Sequence, residues 1–275
     1  MNHIKPFRDF RYRLLQILYM FNKQTRHIKL KNYVLNRSVS KARHKISYDF
    51  NDVYNTPVFI ISYNQLSYVK QMVDWLKKYG FKNIHIVDNQ SSYKPLLNYL
   101  NKSDCIVHHM DKNYGHTVVW DSGEFDDIIK NKCYIVSDCD IAPNKKLPKD
   151  FIKHLYKILC TYPYITKVGF ALNIKNLPNT EKNKTVKKWE KQFWQNQIDK
   201  DLYLANIDTT FALYRPGKIK MHSDTFYSAI RIADNMTATH LPWLETTENS
   251  ESAFYKKTAN SSASWVKGDK YKGIK

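Results

Sequence analysis

Two carboxylates one residue apart, Asp138 and Asp140, follow directly on an apolar segment at residues 133–137. The segment has the composition of a short buried strand, and Pro143 prevents its continuation. Because residues i and i+2 of an extended chain project to the same side, both carboxylates can face one point beyond the strand's end. Their oxygens suit Mn²⁺ or Mg²⁺, and a cation with few protein ligands can also bind substrate phosphates. Taken alone, the tripeptide is more often a solvated turn.

Composition narrows the classes of protein to consider. A chain of 275 residues with 43% hydrophobic content can bury a full core. Its net charge of +19 favours nucleic acid, an anionic membrane surface or phosphate-rich substrates as partners. The four cysteines form no Cys-x-x-Cys pair, which indicates reduced thiols in a cytosolic compartment. With seven glycines, no dinucleotide-binding or Walker-type loop can be assembled, which excludes those two enzyme classes.

Strands alternate with helices over the first part of the expected catalytic domain. Strands are predicted at residues 57–62, 83–87, 105–109 and 133–137, and helices at about 67–79, 94–100 and up to 130. The alternation predicts an α/β fold, a doubly wound and mostly parallel sheet with helices on both faces. Parallel strands share the edge at which such sheets bind ligands.

The remaining chain is predicted to contain shorter elements. A helix at 149–160 and a strand at 167–172 are followed by a long mobile loop at 173–188 and a helix at 189–197. Strands follow at 202–207, 210–214 and 229–233. We therefore expect a catalytic domain at 53–248, a basic helical extension at 1–52 and a polar tail at 249–275.

The amino-terminal segment is basic and amphipathic. Its first 45 residues hold twelve Lys or Arg and one acid, Asp9, and the apolar residues between 7 and 21 recur at helical spacing. No apolar run is long enough to span a bilayer, and no cleavage site follows. Two interpretations stay open: an anchor on an anionic membrane surface, and a helix packed on the main domain with a solvated basic face.

Four features in order between residues 56 and 245 resemble the GT-A glycosyltransferases, in particular family 2-like enzymes of bacterial surface polysaccharide synthesis. They are the strand that ends in Tyr63-Asn64, the strand end Asp88-Asn89, the Asp138-Cys139-Asp140 motif, and His240 about 100 residues later. Each alone has an ordinary explanation as turn chemistry, a helix cap or a packed histidine. The resemblance depends on all four features occurring together and in this order.

The resemblance implies a role for each of these positions. The nucleotide would contact residues in the turns after the first strands, in the polar loop that follows them and in the motif: Ser62, Tyr63, Asn64, Asp88, Asn89, Asn113, Gly115 and Asp138. Mn²⁺ or Mg²⁺ would be held by Asp138, Asp140 and His240, unless Asp138 binds mainly the ribose. Trp189, Trp194, Trp243 and Tyr214 could offer flat surfaces to sugars, although core packing should account for at least half of these four.

The implied reaction moves a sugar from a UDP-sugar to a hydroxyl of a glycan or lipid-linked glycan, with inversion, at the cytoplasmic face of the membrane. The sequence departs from the family pattern in having no clear Glu-Asp pair for the catalytic base. Asp208 is the first candidate, Glu245 the second and Glu248 the third.

Two other classes remain as alternatives. A sugar-phosphate nucleotidyltransferase would have a similar sheet, but it normally has a glycine-rich basic loop after the first strand, where this chain has Ser62-Tyr63-Asn64-Gln65. A non-enzymatic nucleic-acid binder would suit the net charge. No zinc-finger, helix-turn-helix or similar motif supports it, so we expect no nucleic-acid partner.

Overall fold

A sheet of ten strands runs through the part of the chain that the computed structural model describes, residues 52–162, 165–217, 228–260 and 263. The strands are β1 (Val58–Ser62), β2 (Ile84–Asp88), β3 (Ile106–His109), β4 (Tyr134–Asp138), β5 (Ile141–Pro143), β6 (Lys167–Leu172), β7 (Gln197–Asp199), β8 (Leu202–Leu204), β9 (Ala212–Tyr214) and β10 (Ala229–His240). Their order is β3-β2-β1-β4-β9-β6-β10-β8-β7, and β5 pairs with β10. The expected extension at 1–52 lies outside the described residues, apart from Asp52.

The α/β class is confirmed, and parallel pairing joins β3, β2, β1 and β4. Every residue of β1 and β2 is buried, which is typical of strands covered on both faces. The later part of the sheet is mixed. β9 lies antiparallel between β4 and β6, whereas β10 is parallel to β6 and antiparallel to β8 and β5.

Seven helices accompany the sheet within the described ranges: α1 (Leu66–Lys78), α2 (Lys94–Leu100), α3 (Val118–Asp121), α4 (Asp126–Asn131), α5 (Phe151–Thr161), α6 (Glu181–Glu190) and α7 (Ser250–Thr258). Alternate residues of β1 enter two separate cores, Val58 and Ile60 in one and Phe59 and Ile61 in the other. The first core contains apolar residues of α1 and α5, and the second those of α3 and α4. The two-sided layering predicted from the sequence is therefore present.

The predicted loop at 173–188 and helix at 189–197 are wrong in position. Helix α6 begins inside that loop, and Thr180 caps it by accepting a hydrogen bond from the Asn183 N–H at 3.2 Å. A 3-10 helix, Lys191–Trp194, and then β7 occupy most of the predicted helix. The lysines at 182–188 resemble a mobile loop in composition, but Thr180 is a helix N-cap signal just before them.

Helix α7 lies in the segment that was expected to be a polar tail. Asn249 and Ser252 form a reciprocal capping box at its start. The side chain of Glu251 then accepts hydrogen bonds from the backbone N–H and the hydroxyl of Ser67, at 3.0 and 2.9 Å. The segment is polar in sequence because its contacts with the domain are largely hydrogen bonds. Among the described helices, none is long and apolar enough to cross a membrane.

Candidate active site

The ends of β1, β2 and β4 lie side by side at one edge of the sheet. Ser62 pairs with Asp88, and Ile61 pairs with Asp138. The chain turns away from β1 and β2 through Asn64 and Gln90, which have φ values of 53° and 65°. The expected clustering of polar strand ends is thus present, and the two turns use left-handed backbone conformations.

Asp140 and His240 come together through the pairing of β5 with β10. His240 lies opposite Ile141, and the N–H of Leu241 donates to the backbone oxygen of Asp140 at 2.9 Å. The His240 Nε2 atom is 3.3 Å from Asp140 Oδ2, and both side chains are largely buried. The ring of Trp243 packs against the imidazole with a centroid distance of 4.8 Å. These contacts hold the two side chains in a fixed arrangement.

The Asp140 and His240 pair fits a divalent cation. Asp140 Oδ1 is buried and has no hydrogen-bond partner among the described residues, and Nε2 is the ring nitrogen of His240 that faces the same carboxylate. An unpaired buried polar atom costs about 1–3 kcal/mol, so such atoms call for a ligand. A carboxylate oxygen and an imidazole nitrogen are both ligands that Mn²⁺ accepts.

The third predicted metal ligand, Asp138, is held differently. Its Oδ2 accepts a hydrogen bond from the Thr209 hydroxyl at 2.5 Å, and its N–H donates to the Thr209 carbonyl at 2.8 Å. Within the described ranges, no three His, Cys, Asp or Glu side chains are grouped closely enough to hold a metal ion. The structure therefore brings two of the three predicted ligands, Asp140 and His240, into contact. Asp138 is instead hydrogen-bonded to the segment that contains Asp208.

A cavity of about 830 Å³ opens at this edge of the sheet. Nine of the predicted site residues line it: Tyr63, Asn89, Asn113, Gly115, Asp138, Asp140, Asp208, His240 and Glu245. Residues from six separate stretches of sequence thus meet around one volume. Its size is in the range of small-molecule binding sites.

Ser62, Asn64 and Asp88 do not line the cavity. The Asn64 carboxamide oxygen accepts the backbone N–H of Ser92 at 2.7 Å, and its nitrogen donates to the Thr258 hydroxyl at 2.9 Å. Asp88 accepts a backbone N–H from the turn that follows it. The Asn64 and Asp88 side chains shape the turns beside the cavity, and the nucleotide contacts expected of all three residues stay a prediction.

Asn89 joins two loops of the cavity wall. Its buried side chain donates to the Gly115 carbonyl at 2.7 Å and accepts the Tyr114 N–H at 2.9 Å. Asn113 then accepts the Gly115 N–H at 2.8 Å. The turn after β2 is therefore hydrogen-bonded to the polar loop at 113–115.

The two leading base candidates occupy different surroundings. Asp208 has a side chain that is 46% exposed and lies 3.7 Å from His116 Nε2. Glu245 accepts a hydrogen bond from the Tyr68 hydroxyl, and burial together with this carboxylate raises the pKa of Tyr68. Both residues line the cavity, and the assignment of either as the base that deprotonates an incoming hydroxyl stays a prediction.

Lys182, on α6, is a cavity residue that the sequence analysis missed because it lies in the predicted loop. Its ammonium donates to the Pro242 carbonyl at 3.0 Å. Burial lowers its pKa, while the carboxylates of Glu245 and Asp140 act in the opposite direction. The Lys182 ammonium, placed among these groups, can bind an anionic ligand. The capping signal at Thr180 would have identified the helix on which Lys182 lies.

Helix α7 forms one wall of the cavity through Glu251, Ser252, Tyr255 and Lys256. The Tyr63 hydroxyl donates to the Thr258 carbonyl at 3.0 Å, and the ring of Tyr255 meets that of Tyr63 edge-on at 6.3 Å. Helix α7 therefore packs on the turn that follows β1.

Of the four aromatic residues considered as sugar-binding surfaces, half, Tyr214 and Trp243, are packed in the core, as expected. Tyr214 is fully buried and stacks on Tyr134, and Trp194 is not among the residues that line the cavity. Trp189 and Trp243 do line it. Trp243 is 2% exposed and supports His240, so Trp189 offers the more accessible surface.

No protein-family model matches this sequence, and the search of curated proteins gives no match. Among solved structures, the chain is similar to "Mannosyltransferase PcManGT from Pyrobaculum calidifontis in complex with GDP-Man and Mn2+", with 11% sequence identity and a TM-score of 0.46. The match covers 89% of this chain and 72% of that one.

Proposed function

We propose that this protein is a metal-dependent glycosyltransferase of the GT-A type, family 2-like, that transfers a sugar from a nucleotide-diphosphate donor to a hydroxyl acceptor. The observation that supports it best is the contact between His240 Nε2 and Asp140, whose buried Oδ1 has no hydrogen-bond partner among the described residues, at the sheet edge where the polar strand ends meet. That edge is where open α/β sheets bind ligands.

Each group has a distinct task in the proposed reaction. Asp140 and His240 would hold Mn²⁺ or Mg²⁺, which would supply positive charge to neutralise the leaving diphosphate. Lys182 places a further positive charge near Asp140. Asp208 accepts the proton of the attacking hydroxyl, and attack opposite the leaving group inverts the anomeric centre. Asp138 holds the Asp208 segment through its two hydrogen bonds with Thr209.

The donor is proposed to be a UDP-sugar whose nucleotide lies against Tyr63, Asn89, Asn113 and Gly115, because these residues line the cavity beside the strand ends. The acceptor is proposed to be a glycan or lipid-linked glycan in cell-surface polysaccharide synthesis. The enzyme would be cytoplasmic and peripheral at the inner face of the membrane, held there by its basic amino-terminal residues.

The proposal is tested by screening UDP- and GDP-sugars for Mn²⁺-dependent hydrolysis and thermal stabilisation. A ligand at 100 times its Kd should stabilise the native protein by about 2.7 kcal/mol. We expect Asp140→Ala to lose both effects, while Asp74→Ala, an exposed Asp outside the cavity, retains them. Turnover that survives in Asp140→Ala with excess chelator would refute the metal role. Formation of a nucleotide sugar from a triphosphate and a sugar phosphate would instead identify a nucleotidyltransferase.

A further inference from the structure

An ion pair lies in the wall of the cavity and takes no part in the proposed transfer step. Arg231 Nη1 donates to Glu190 Oε2 at 2.7 Å, and the two side chains are only 5% and 4% exposed. Both residues line the cavity, although neither belongs to the predicted site. Arg231 is on β10 and Glu190 ends α6, so the pair joins two elements that are distant in sequence.

Two neighbouring contacts place this ion pair beside the proposed base. Arg231 Nε donates to the carbonyl of Asn206 at 2.7 Å, two residues before Asp208. The guanidinium carbon lies 4.0 Å from the ring centroid of Phe193, whose ring meets that of Trp189 edge-on at 6.1 Å. The cavity thus combines, near Asp208, a charged pair with two aromatic rings.

The pair keeps hydrogen-bonding capacity that the described residues do not use. Neither Arg231 Nη2 nor Glu190 Oε1 has a hydrogen-bond partner among them. One atom is a donor and the other an acceptor, and the pair as a whole is neutral. Replacing a buried ion pair by apolar side chains often leaves a protein equally stable. The presence of this ion pair in the wall of a cavity therefore favours a binding role over a purely structural one.

We propose that Trp189, Glu190 and Arg231 form a subsite for a neutral, hydroxyl-rich sugar of the acceptor. The inference rests on the proposed function and adds the acceptor's chemical class to it. Neighbouring hydroxyls of a sugar ring can accept from Arg231 and donate to Glu190, while the ring's C–H face packs on Trp189. An anionic sugar is disfavoured because Glu190 already neutralises the guanidinium.

The test measures binding of methyl glucoside, methyl galactoside and methyl mannoside to the full chain with UDP and Mg²⁺, by saturation-transfer NMR. The matching methyl glucuronide is the anionic probe. We expect at least one neutral glycoside to bind at least tenfold more tightly than the glucuronide. Trp189→Ala should weaken that binding at least tenfold, and Trp189→Phe should restore most of it. Lys191→Ala, an exposed change in the next turn, should have no effect.

A second variant separates recognition from a purely structural role. Glu190→Gln removes the neutralising charge, so glucuronide binding should rise relative to that of the neutral glycoside. Glu181→Gln, at an exposed position of the same helix, should leave the ratio unchanged. A structural role would weaken both probes equally. If Glu190→Gln does not fold, as judged by circular dichroism, the comparison of Trp189→Ala with Trp189→Phe tests the subsite.

Two results would overturn the subsite: neutral glycosides that bind Trp189→Ala as well as wild type, or a glucuronide that binds wild type at least as tightly as they do. Donor hydrolysis by water is measured separately in the wild-type protein. The absence of both donor hydrolysis and metal-dependent thermal stabilisation for every nucleotide sugar would refute the proposed transferase activity, whereas glycoside binding at Trp189 would still report on the subsite.

Discussion

At the residue scale, the Asp-x-Asp motif divides into two side chains with different partners. Asp140 contacts His240, and Asp138 contacts Thr209. The types and spacing of the two aspartates were enough to predict that they lie near one another at a strand end. The division depends on two other segments, which pair with the motif only in the folded chain.

Kinetics of variants at Asp208 and Glu245 should show which of the two residues is the catalytic base. Asp208→Asn removes the accessible carboxylate at nearly constant shape, so we expect kcat for sugar transfer to fall by roughly 10²–10⁴-fold with little change in the donor KM. Glu245→Gln disturbs the contact with Tyr68 and should have a smaller effect on kcat. Steady-state kinetics with a glycoside acceptor measures both. A larger kcat loss in Glu245→Gln would move the base assignment to Glu245.

A second residue-scale prediction concerns His85. Its Nδ1 lies 2.9 Å from His108 Nε2, and burial together with His108 lowers the pKa of His85 to about 4. The unfolded chain, with a pKa near 6.5, binds this proton more readily, so stability should fall as pH drops from about 6.5 to about 4. One such group contributes at most about 1.4 kcal/mol per pH unit.

The measurement is urea unfolding of the wild-type protein and His85→Gln between pH 4 and 7. The variant should lose part of the pH dependence, while the acidic groups common to both proteins contribute equally. An identical slope for the two proteins would show that His85 does not bind a proton on unfolding in this range.

At the scale of elements, β10 connects the two halves of the cavity. Arg231 lies near its start and His240 at its end, and its register against β6 shifts between Ile232 and Thr237. Asp234, with a φ of 53°, lies within that irregular stretch. The strand therefore supplies one residue to the ion pair and one to the proposed metal site.

Helix α7 allows an element-scale prediction. Asn249→Ala removes one side of the capping box and should destabilise the helix by about 1 kcal/mol. Asn249→Asp keeps an acceptor at this position and should preserve it. Hydrogen exchange of residues 250–258 would measure the difference, and nucleotide-dependent stabilisation should weaken in parallel. Unchanged exchange in Asn249→Ala would show that the cap contributes little.

Local sequence signals account for the elements that were predicted correctly. The strands before residue 140 are short apolar segments with clear turn residues, and Gly80 ends α1 with a φ of 90° as expected. Helices α6 and α7 were missed because their exposed faces are polar and their stability depends on capping and on contacts with distant residues. Arg231 and Glu190 could not be paired from sequence because β10 and α6 meet only in the tertiary fold.

At the scale of the whole molecule, positive charge is unevenly distributed along the chain. The first 45 residues contribute +11 of the net +19. Each Lys or Arg close to an anionic bilayer contributes about 1 kcal/mol of attraction. The charge is therefore concentrated where a membrane contact has been proposed, at one end of the sequence and outside the predicted catalytic domain.

The full chain should sediment with phosphatidylserine-containing vesicles at low salt and be released as salt rises, because screening weakens the attraction. Removing residues 1–45 should abolish sedimentation and leave a folded, nucleotide-binding domain. Replacing the basic residues of this segment by Gln in the full chain is the matched variant. A truncated protein that is insoluble or melts far lower would show that the segment is structural, and failure of the full chain to sediment would refute the anchor.

The pairing of β5 with β10 limits how this protein can change in length. His240 reaches Asp140 only because His240 lies opposite Ile141. A one-residue insertion or deletion between Thr237 and His240 would turn the imidazole to the other face of the sheet. Homologues and engineered libraries should therefore tolerate added residues in exposed loops, and reject them in this short stretch even when every site residue is retained.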